Sequence, residues 1–228
     1  NVNNETKLIM KLKSFRDADF WIFDLDNTLY PRTANLFAEI EKKMTTYVMN
    51  ELNVDFKRAN FLRDYYWKNY GTTLSGMMQE HKIDPLPYLY EVHDIPLDSL
   101  TVDPLLVKEI NKLNGEKIVY TNGSKFHANR VLNARGLTDC FHQIYGIEDA
   151  NYVPKPEEGA YKQIIKLADV NPLSAVMFED EPKNLEVPHK MGMQTVLITD
   201  EEIEDSRHHI TNNLTNFLLK LNELLNEN

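Results

Sequence analysis

Asp24 and Asp26 stand two residues apart where a short apolar run, residues 20–23 (FWIF), gives way to polar sequence. In extended chain such residues project to the same side, so both carboxylates would rise above the edge of the sheet that the run enters. Two carboxylates side by side attract a cation, and each can serve as nucleophile or proton carrier. A lone pair of this kind also arises where Asp merely supports a strand-to-loop turn, so its meaning depends on its company. Thr28 follows in the same alternation, Thr121-Asn122-Gly123 and Glu179-Asp180 follow later apolar runs, and Lys155 lies between two prolines. A nucleophilic carboxylate, a second carboxylate able to pass protons, a hydroxyl, a cation and further acids, gathered at one edge, suit phosphoryl transfer through an aspartyl-phosphate.

The elements needed to gather them are legible in the hydrophobic pattern. Continuous apolar runs at 20–23, 117–120, 175–178 and 195–198, with a weaker one at 142–145, predict about five strands buried on both faces of a parallel sheet. Helical patterns over 125–135, 157–167 and 184–191 alternate with them, the first and last closed by Gly136 and Gly192. This alternation predicts an α/β fold with a doubly wound, Rossmann-like parallel sheet. Residues 34–100 break the alternation with Leu, Tyr, Phe, Met and charged residues at helical spacing. They predict a helical cap inserted after the first strand, with residues 1–33 and 101–228 forming the core. The tail, 205–228, carries Ile210, Leu214, Phe217, Leu218 and Leu221 at the spacing of a packing helix.

The segment Asp24-Leu25-Asp26-Asn27-Thr28, followed in order by Thr121, Lys155 and Glu179-Asp180 with Asn184, resembles the four motifs of the haloacid dehalogenase-like (HAD) hydrolase superfamily. That resemblance implies Asp24 as nucleophile and Asp26 as the acid that protonates the leaving oxygen and later activates water. It implies that Thr121 and the neighbouring amides of Asn122 and Gly123 hold phosphoryl oxygens, while Lys155 offsets negative charge. It implies Mg²⁺, for which Asp24, the main-chain carbonyl of Asp26 and Asp180 offer hard oxygen ligands, with Glu179 acting directly or through water. Asn184 would orient these acids or cap the helix that follows. The segments FDLDNTLYP, DYYWKNYGTTLSGMMQEH and TNGSKFHANRVLNARGL are similar to the pyrimidine 5'-nucleotidase branch. The branch implies nucleoside monophosphates such as UMP or CMP as substrates. Tyr30 is expected to face the cleft, and Tyr65, Tyr66, Trp67 and Tyr70 are the aromatic candidates for stacking on a base. His81 and His93 are expected to be solvated or structural, and the His208-His209 pair to bind nothing.

Composition narrows the alternatives. A net charge of -10, with no dense Lys/Arg cluster, opposes binding to nucleic acid, while a small anionic metabolite is permitted by a local metal site. Cys140 is the only cysteine, which excludes an intramolecular disulfide and suits a reducing cytoplasm. No apolar run has the length of a membrane span, and the opening NVNNETKLIMKLKSF lacks a secretory pattern. Asp26 argues against dehalogenation, which has no leaving oxygen to protonate. A sugar-phosphate phosphatase or mutase would keep the same acids. A signalling receiver domain, or a phosphate-binding module without turnover, would be the non-enzyme alternatives, and a receiver carries its acceptor Asp on a later strand.

Overall fold

The computed structural model describes residues 12–226. The opening polar segment through Lys11, on which the absence of a secretory pattern was read, and the last two residues lie outside them.

The sheet grows outward from its most apolar strand. β1 (Phe20–Phe23) pairs in parallel with β2 (Glu116–Tyr120) on one side and β4 (Ala175–Glu179) on the other. β3 (Gln143–Tyr145) extends the sheet beyond β2, and β5 (Gln194–Ile198) and β6 (His209–Thr211) extend it beyond β4, giving the order β3-β2-β1-β4-β5-β6. Alternate residues of the same strands enter different cores. Trp21, Phe23, Val119, Val176, Phe178 and Val196 share one apolar cluster, and Ile22, Ile118, Tyr120, Met177 and Leu197 belong to the other. Burial on both faces is why these strands read as unbroken apolar runs.

The order reverses beside β1, because the chain moves outward through β2 and β3 and then returns to lay β4 on the opposite side. Open α/β sheets bind ligands outside the carboxyl ends of the strands at such a reversal. Asp24, Thr121 and Asp180 each follow a strand that meets there.

Between β1 and β2 the chain forms α1 (Leu36–Leu52), α2 (Phe56–Tyr70), α3 (Thr73–His81), α4 (Pro85–Val92) and α5 (Pro104–Asn111). Asp55, Thr72, Asp84 and Asp103 open the last four, each accepting a hydrogen bond from a first-turn amide. Pro85 and Pro104 occupy first-turn positions where no amide donor is missed. Ile40, Val48, Leu62, Met77 and Leu89 join the apolar cluster of Trp21 and Phe23, so the helical insert is packed onto one face of the sheet's own core. After β2 come α6 (Lys125–Ala134), α7 (Glu158–Ala168), α8 (Glu186–Lys190) and α9 (Leu214–Asn226). Among the described residues, no helix is long and apolar enough to cross a membrane.

The structure corrects the sequence reading in two places. Among the described residues there are six strands rather than about five, because β6 occupies part of the tail expected to be one helix. β6 is three residues long with Ile210 its one apolar side chain, too short for period-two alternation to register. The pattern over 184–191 resolves into a 3₁₀ turn (Pro182–Leu185) followed by the short α8, with Pro188 inside it.

Gly115 fixes how β1 meets β2. Its φ is +100°, and an added Cβ would fall 2.2 Å from the carbonyl oxygen of Asp19, the acceptor for the Glu116 amide. Gly115→Ala is expected to lower stability by about 1–3 kcal/mol in urea unfolding, through left-handed strain and that backbone collision. An unchanged midpoint would show that β1 and β2 tolerate a shift there.

Candidate active site

Asp24 leaves β1 with its amide still donating to the Phe178 carbonyl of β4 at 2.9 Å, so its backbone remains part of the sheet. Its side chain is 7% exposed, with Oδ2 accepting from Thr28 Oγ1 at 3.1 Å and Oδ1 from Lys155 Nζ at 3.0 Å. Lys155 is buried, and its ammonium also donates to Glu179 Oε1 at 2.6 Å and the Tyr120 carbonyl at 3.1 Å. Burial opposes a charged amine, yet the facing Asp24 and Glu179 carboxylates outweigh it and hold Lys155 well above its ordinary pKa.

The lysine is fixed at both ends. Asn122 accepts from the Lys155 amide through Oδ1 at 2.8 Å and donates to the Lys155 carbonyl through Nδ2 at 3.1 Å. The Asn122 side chain, expected near substrate, is therefore occupied in clamping Lys155. Thr121 is 1% exposed, and its Oγ1 accepts from the Gly123 amide at 2.9 Å, ordering the turn that follows β2. Thr121, Asn122, Gly123 and Lys155 all line the same cleft as Asp24 and Asp26.

Glu179 supports the lysine with every acceptor it has. Besides Lys155, its Oε1 receives Asn184 Nδ2 at 3.1 Å, and its Oε2 receives the amides of Asp180 and Glu181, each at 3.0 Å. Asn184 thus orients an acid of the site and is not a side-chain helix cap. Oxygens of Asp24, Glu179 and Asp180 lie within 4.8 Å of one another, a donor set suited to a hard divalent cation. Of the three, Asp24 and Asp180 keep the freer oxygens.

The electrostatics fit that assignment. Burial, then the neighbouring Glu179 carboxylate, push Asp24 up to about 7 despite Lys155. Burial, then Glu179 and Asp24, push Asp180 up to about 10. Carboxylates buried together with less positive charge than they carry negative stay above their ordinary values, and a bound cation would offset that imbalance. Arg32, absent from the sequence reading, partly fills the need by donating to Asp180 Oδ2 at 2.8 Å with a side chain 51% exposed.

Asp26 is held apart from this cluster. Its Oδ1 accepts from Tyr30 Oη at 2.7 Å and from His127 Nε2 at 2.8 Å. Burial would raise Asp26, but the adjacent His127 ring and the Tyr30 hydroxyl keep its carboxyl below the ordinary value. Tyr30 corrects an expectation, because it is 1% exposed and lies behind Asp26 rather than on the cleft. Its hydroxyl reaches the first motif instead of the substrate space.

The cleft has a volume of about 480 Å³ and continues from these acids onto Glu41, Arg63, Trp67 and Tyr88 of the insert. Of the aromatic candidates only Trp67 lines it, with Lys183 Nζ 4.0 Å from its ring centroid. Tyr66 is buried with its hydroxyl 2.6 Å from His81 Nε2, Tyr70 pairs with Glu80, and Tyr65 stacks on Phe61. Arg63 Nη1 donates to Glu41 Oε1 at 3.1 Å, adding a polar pair to the same wall. His208 and His209 are buried far along the chain near β5 and β6, where His208 Nδ1 lies 2.6 Å from Thr195 Oγ1. They join the core rather than the cleft.

Residues 21–192 match the family model for haloacid dehalogenase-like hydrolases, and the chain belongs to that family. It is a hydrolase by that membership. The chain is 26% identical over 212 residues to phosphate metabolism protein 8 of Saccharomyces cerevisiae, covering 86% of this chain and 65% of the relative's length. A solved HAD phosphatase from Thermococcus onnurineus is similar with a TM-score of 0.61 and 17% identity, over 91% of this chain and 98% of that one. The HAD-hydrolase YfnB of Bacillus subtilis, solved with bound magnesium, is similar with a TM-score of 0.57 and 14% identity, over 92% and 99% of the two chains. These structural likenesses establish the shared fold.

His93, beside the cleft, gives the site an acid-sensitive support. It is 4% exposed, with Ser124 Oγ 3.0 Å from Nδ1 and the His127 ring stacked at 4.3 Å. Burial, then His127, push it down to about 3, with Arg130 adding to the push and Asp26 opposing it. An unfolded His93 takes a proton near its ordinary 6.5 while the folded one does not. Its contribution to stability is therefore complete above about pH 6.5 and is lost as pH falls toward the folded value. His93→Gln is expected to flatten the acid limb of stability by up to about 1.4 kcal/mol per pH unit between pH 6 and 4 in urea titrations. Parallel acid limbs in both proteins would refute the assignment.

Proposed function

We propose that this chain is a Mg²⁺-dependent phosphomonoesterase that forms an aspartyl-phosphate on Asp24, acting on pyrimidine nucleoside 5'-monophosphates such as UMP and CMP. The observation that carries the chemistry is the buried Lys155 ammonium 3.0 Å from Asp24 Oδ1, with Asp26 lining the same cleft but secured by separate donors.

Lys155 neutralises part of the charge that accumulates when a phosphate dianion approaches the Asp24 carboxylate. Thr121 and the turn through Gly123 hold the phosphoryl oxygens. Asp26 passes a proton to the departing ester oxygen and accepts one from the water that later attacks phosphorus. Asp24 and Asp180, with the main-chain carbonyl of Asp26, would hold magnesium, which when bound supplies charge neutralisation at the phosphoryl oxygens. Glu179 keeps Lys155 in place and, with its acceptors occupied, acts on the metal only through water.

Residues 34–100 serve as a cap in this reading, with core segments 1–33 and 101–228. Cap closure over the cleft excludes bulk water during transfer to Asp24. Three features support a nucleotide: the segments similar to the pyrimidine 5'-nucleotidase branch, the placement of Trp67 on the cleft, and the polar Glu41–Arg63 pair beside it. An aromatic face can stack on a base while an Arg–Glu pair meets base-edge donors and acceptors. The name of the yeast relative, phosphate metabolism protein 8, agrees with the coarser phosphatase reading. The lone buried Cys140 suits a reducing cytoplasm.

The test is phosphate release from UMP, CMP, dUMP, AMP, GMP and several sugar phosphates, with Mg²⁺ and after chelation. Pyrimidine monophosphates are expected to dominate, chelation to abolish turnover, and Asp24→Asn to lower kcat at least about 10³-fold. Trp67→Ala is expected to raise KM for UMP by roughly 5- to 100-fold, equivalent to about 1–3 kcal/mol of stacking. Preference for sugar phosphates would remove the nucleotide assignment and leave the reaction; an active Asp24→Asn would remove the reaction.

A further inference from the structure

α6 carries three polar side chains at three-residue intervals on one face, and all three reach the same neighbourhood. Ser124, its N-cap, has Oγ 3.0 Å from His93 Nδ1. Arg130 donates from Nη1 to the His93 carbonyl at 2.7 Å and from Nη2 to the Ile95 carbonyl at 2.9 Å. Between them His127, fully buried, places Nε2 2.8 Å from Asp26 Oδ1 and lies against the His93 ring with an interplanar angle of 9°. Arg130 thus clamps the segment by which the chain leaves α4, and His127 extends from the same face to the second carboxylate of the site.

The chemistry of the contact fixes its direction. An ionised carboxylate only accepts, so the hydrogen lies on His127 Nε2. His127 Nδ1 has no hydrogen-bond partner among the described residues. A histidine retained only for packing would leave that buried nitrogen unpaired for no return, at a cost of about 1–3 kcal/mol that an apolar ring would avoid. Tyr30 donates to the same Asp26 oxygen from 2.7 Å. With two donors directed at Oδ1, a proton carried by Asp26 belongs on Oδ2.

We infer that His127 is a positioning residue for Asp26: together with Tyr30 it fixes the carboxyl so that Oδ2 carries and delivers the proton to the leaving group. The inference rests on the reading of Asp26 as proton carrier. As an Asp24 oxygen bonds to phosphorus, the ester P–O bond breaks and its electron pair passes to the leaving oxygen. That oxygen takes the Oδ2 proton, so an alcohol departs and Asp26 is left ionised, still accepting from His127 and Tyr30. In the second half-reaction, water oxygen bonds to phosphorus and a water proton returns to Asp26 Oδ2. The Asp24–phosphorus bond breaks and its electron pair restores the Asp24 carboxylate.

A leaving group that departs as a stable anion has little need of this proton, which separates positioning from packing. The test compares kcat/KM, which covers transfer to Asp24 and departure of the alcohol, for p-nitrophenyl phosphate and for the alkyl phosphate that the wild type hydrolyses best. His127→Phe keeps the stacked ring and removes the donor; it is expected to lower kcat/KM for the alkyl ester by about 10- to 100-fold. The loss with p-nitrophenyl phosphate is expected to be smaller by about ten-fold or more. His127→Gln, whose side-chain amide can donate to Asp26, is expected to restore most of the difference. Equal losses on both esters, or none, would overturn the role of His127 in a chain that remains an active phosphatase. His127→Leu is the second donor-free variant; if neither it nor His127→Phe folds, His127 is a structural residue and the inference fails. A wild type inactive on every ester would overturn the phosphatase reading and this one with it.

Discussion

A single buried ammonium organises the site. Lys155 arrives from a loop, far in sequence from β1, and spends its three donors on Asp24, Glu179 and the Tyr120 carbonyl. Burying an unpaired lysine would cost several kcal/mol, so its position is stable only while those acceptors surround it. They in turn require the strand order that sets β2, β1 and β4 side by side, because Tyr120, Asp24 and Glu179 belong to the carboxyl ends of those neighbours. Further contacts fix the frame: Asn122 grips the Lys155 backbone from both sides, and Tyr161 donates to the Asn184 carbonyl at 2.5 Å while the Asn184 amide holds Glu179. The geometry of the candidate site thus follows from satisfying one buried charge.

The charge balance left over explains the rest of the edge. Three buried carboxylates, Asp24, Glu179 and Asp180, face one buried ammonium, leaving an excess of two negative charges at full ionisation. Burial first, and then this excess, hold Asp24 and Asp180 far above their ordinary values. A divalent cation would cancel the same excess while leaving Asp24 ionised. Arg32, half exposed, is a weaker substitute, since water screens its pairing with Asp180. Asp26 escapes the competition because its donors, Tyr30 and His127, come from outside the cluster. Separate environments for two acids only two residues apart suit the proposed division, in which Asp24 attacks and Asp26 handles protons.

Much of this was legible because strand ends leave a local mark. Asp24, Thr121 and Glu179-Asp180 follow apolar runs directly, so the parallel sheet that buries those runs also brings their polar successors to one edge. His127 and Arg32 left no such mark. His127 sits in the first turn of a helix, where direction depends on how that helix packs; only its three-residue spacing from Ser124 and Arg130 hints at a shared face. Tyr30 was misplaced because alternation stops at Asn27, whose φ is +58°. The turn redirects the chain, and Tyr30 folds back beneath Asp26. In the insert, aromatic composition alone could not separate Trp67 on the cleft from Tyr66 in the core, since both lie on one helix and differ by a single position. β6 escaped because three residues paired by the backbone need no apolar signature.

The division between strand ends and insert also bears on how substrate and reaction relate. The reacting groups stand on rigid sheet termini whose geometry is set by Lys155 and by backbone pairing. The far wall of the cleft is built from α1, α2 and α4, where Glu41, Arg63, Trp67 and Tyr88 can change without touching Lys155. Fold likeness therefore speaks to the first group and says little about the second. The two halves are not independent, however, because His93 follows α4 directly and stacks on His127, which holds Asp26. Any displacement of the α4 end must either carry His127 with it or break that stack. The insert thus reaches Asp26 through His93 and His127, and it also adjoins the Lys155 segment, since a Cβ added at Gly71 would fall 3.2 Å from Pro154 Cγ and 3.4 Å from the Lys155 carbonyl oxygen, so its movement bears on the supports of both acids.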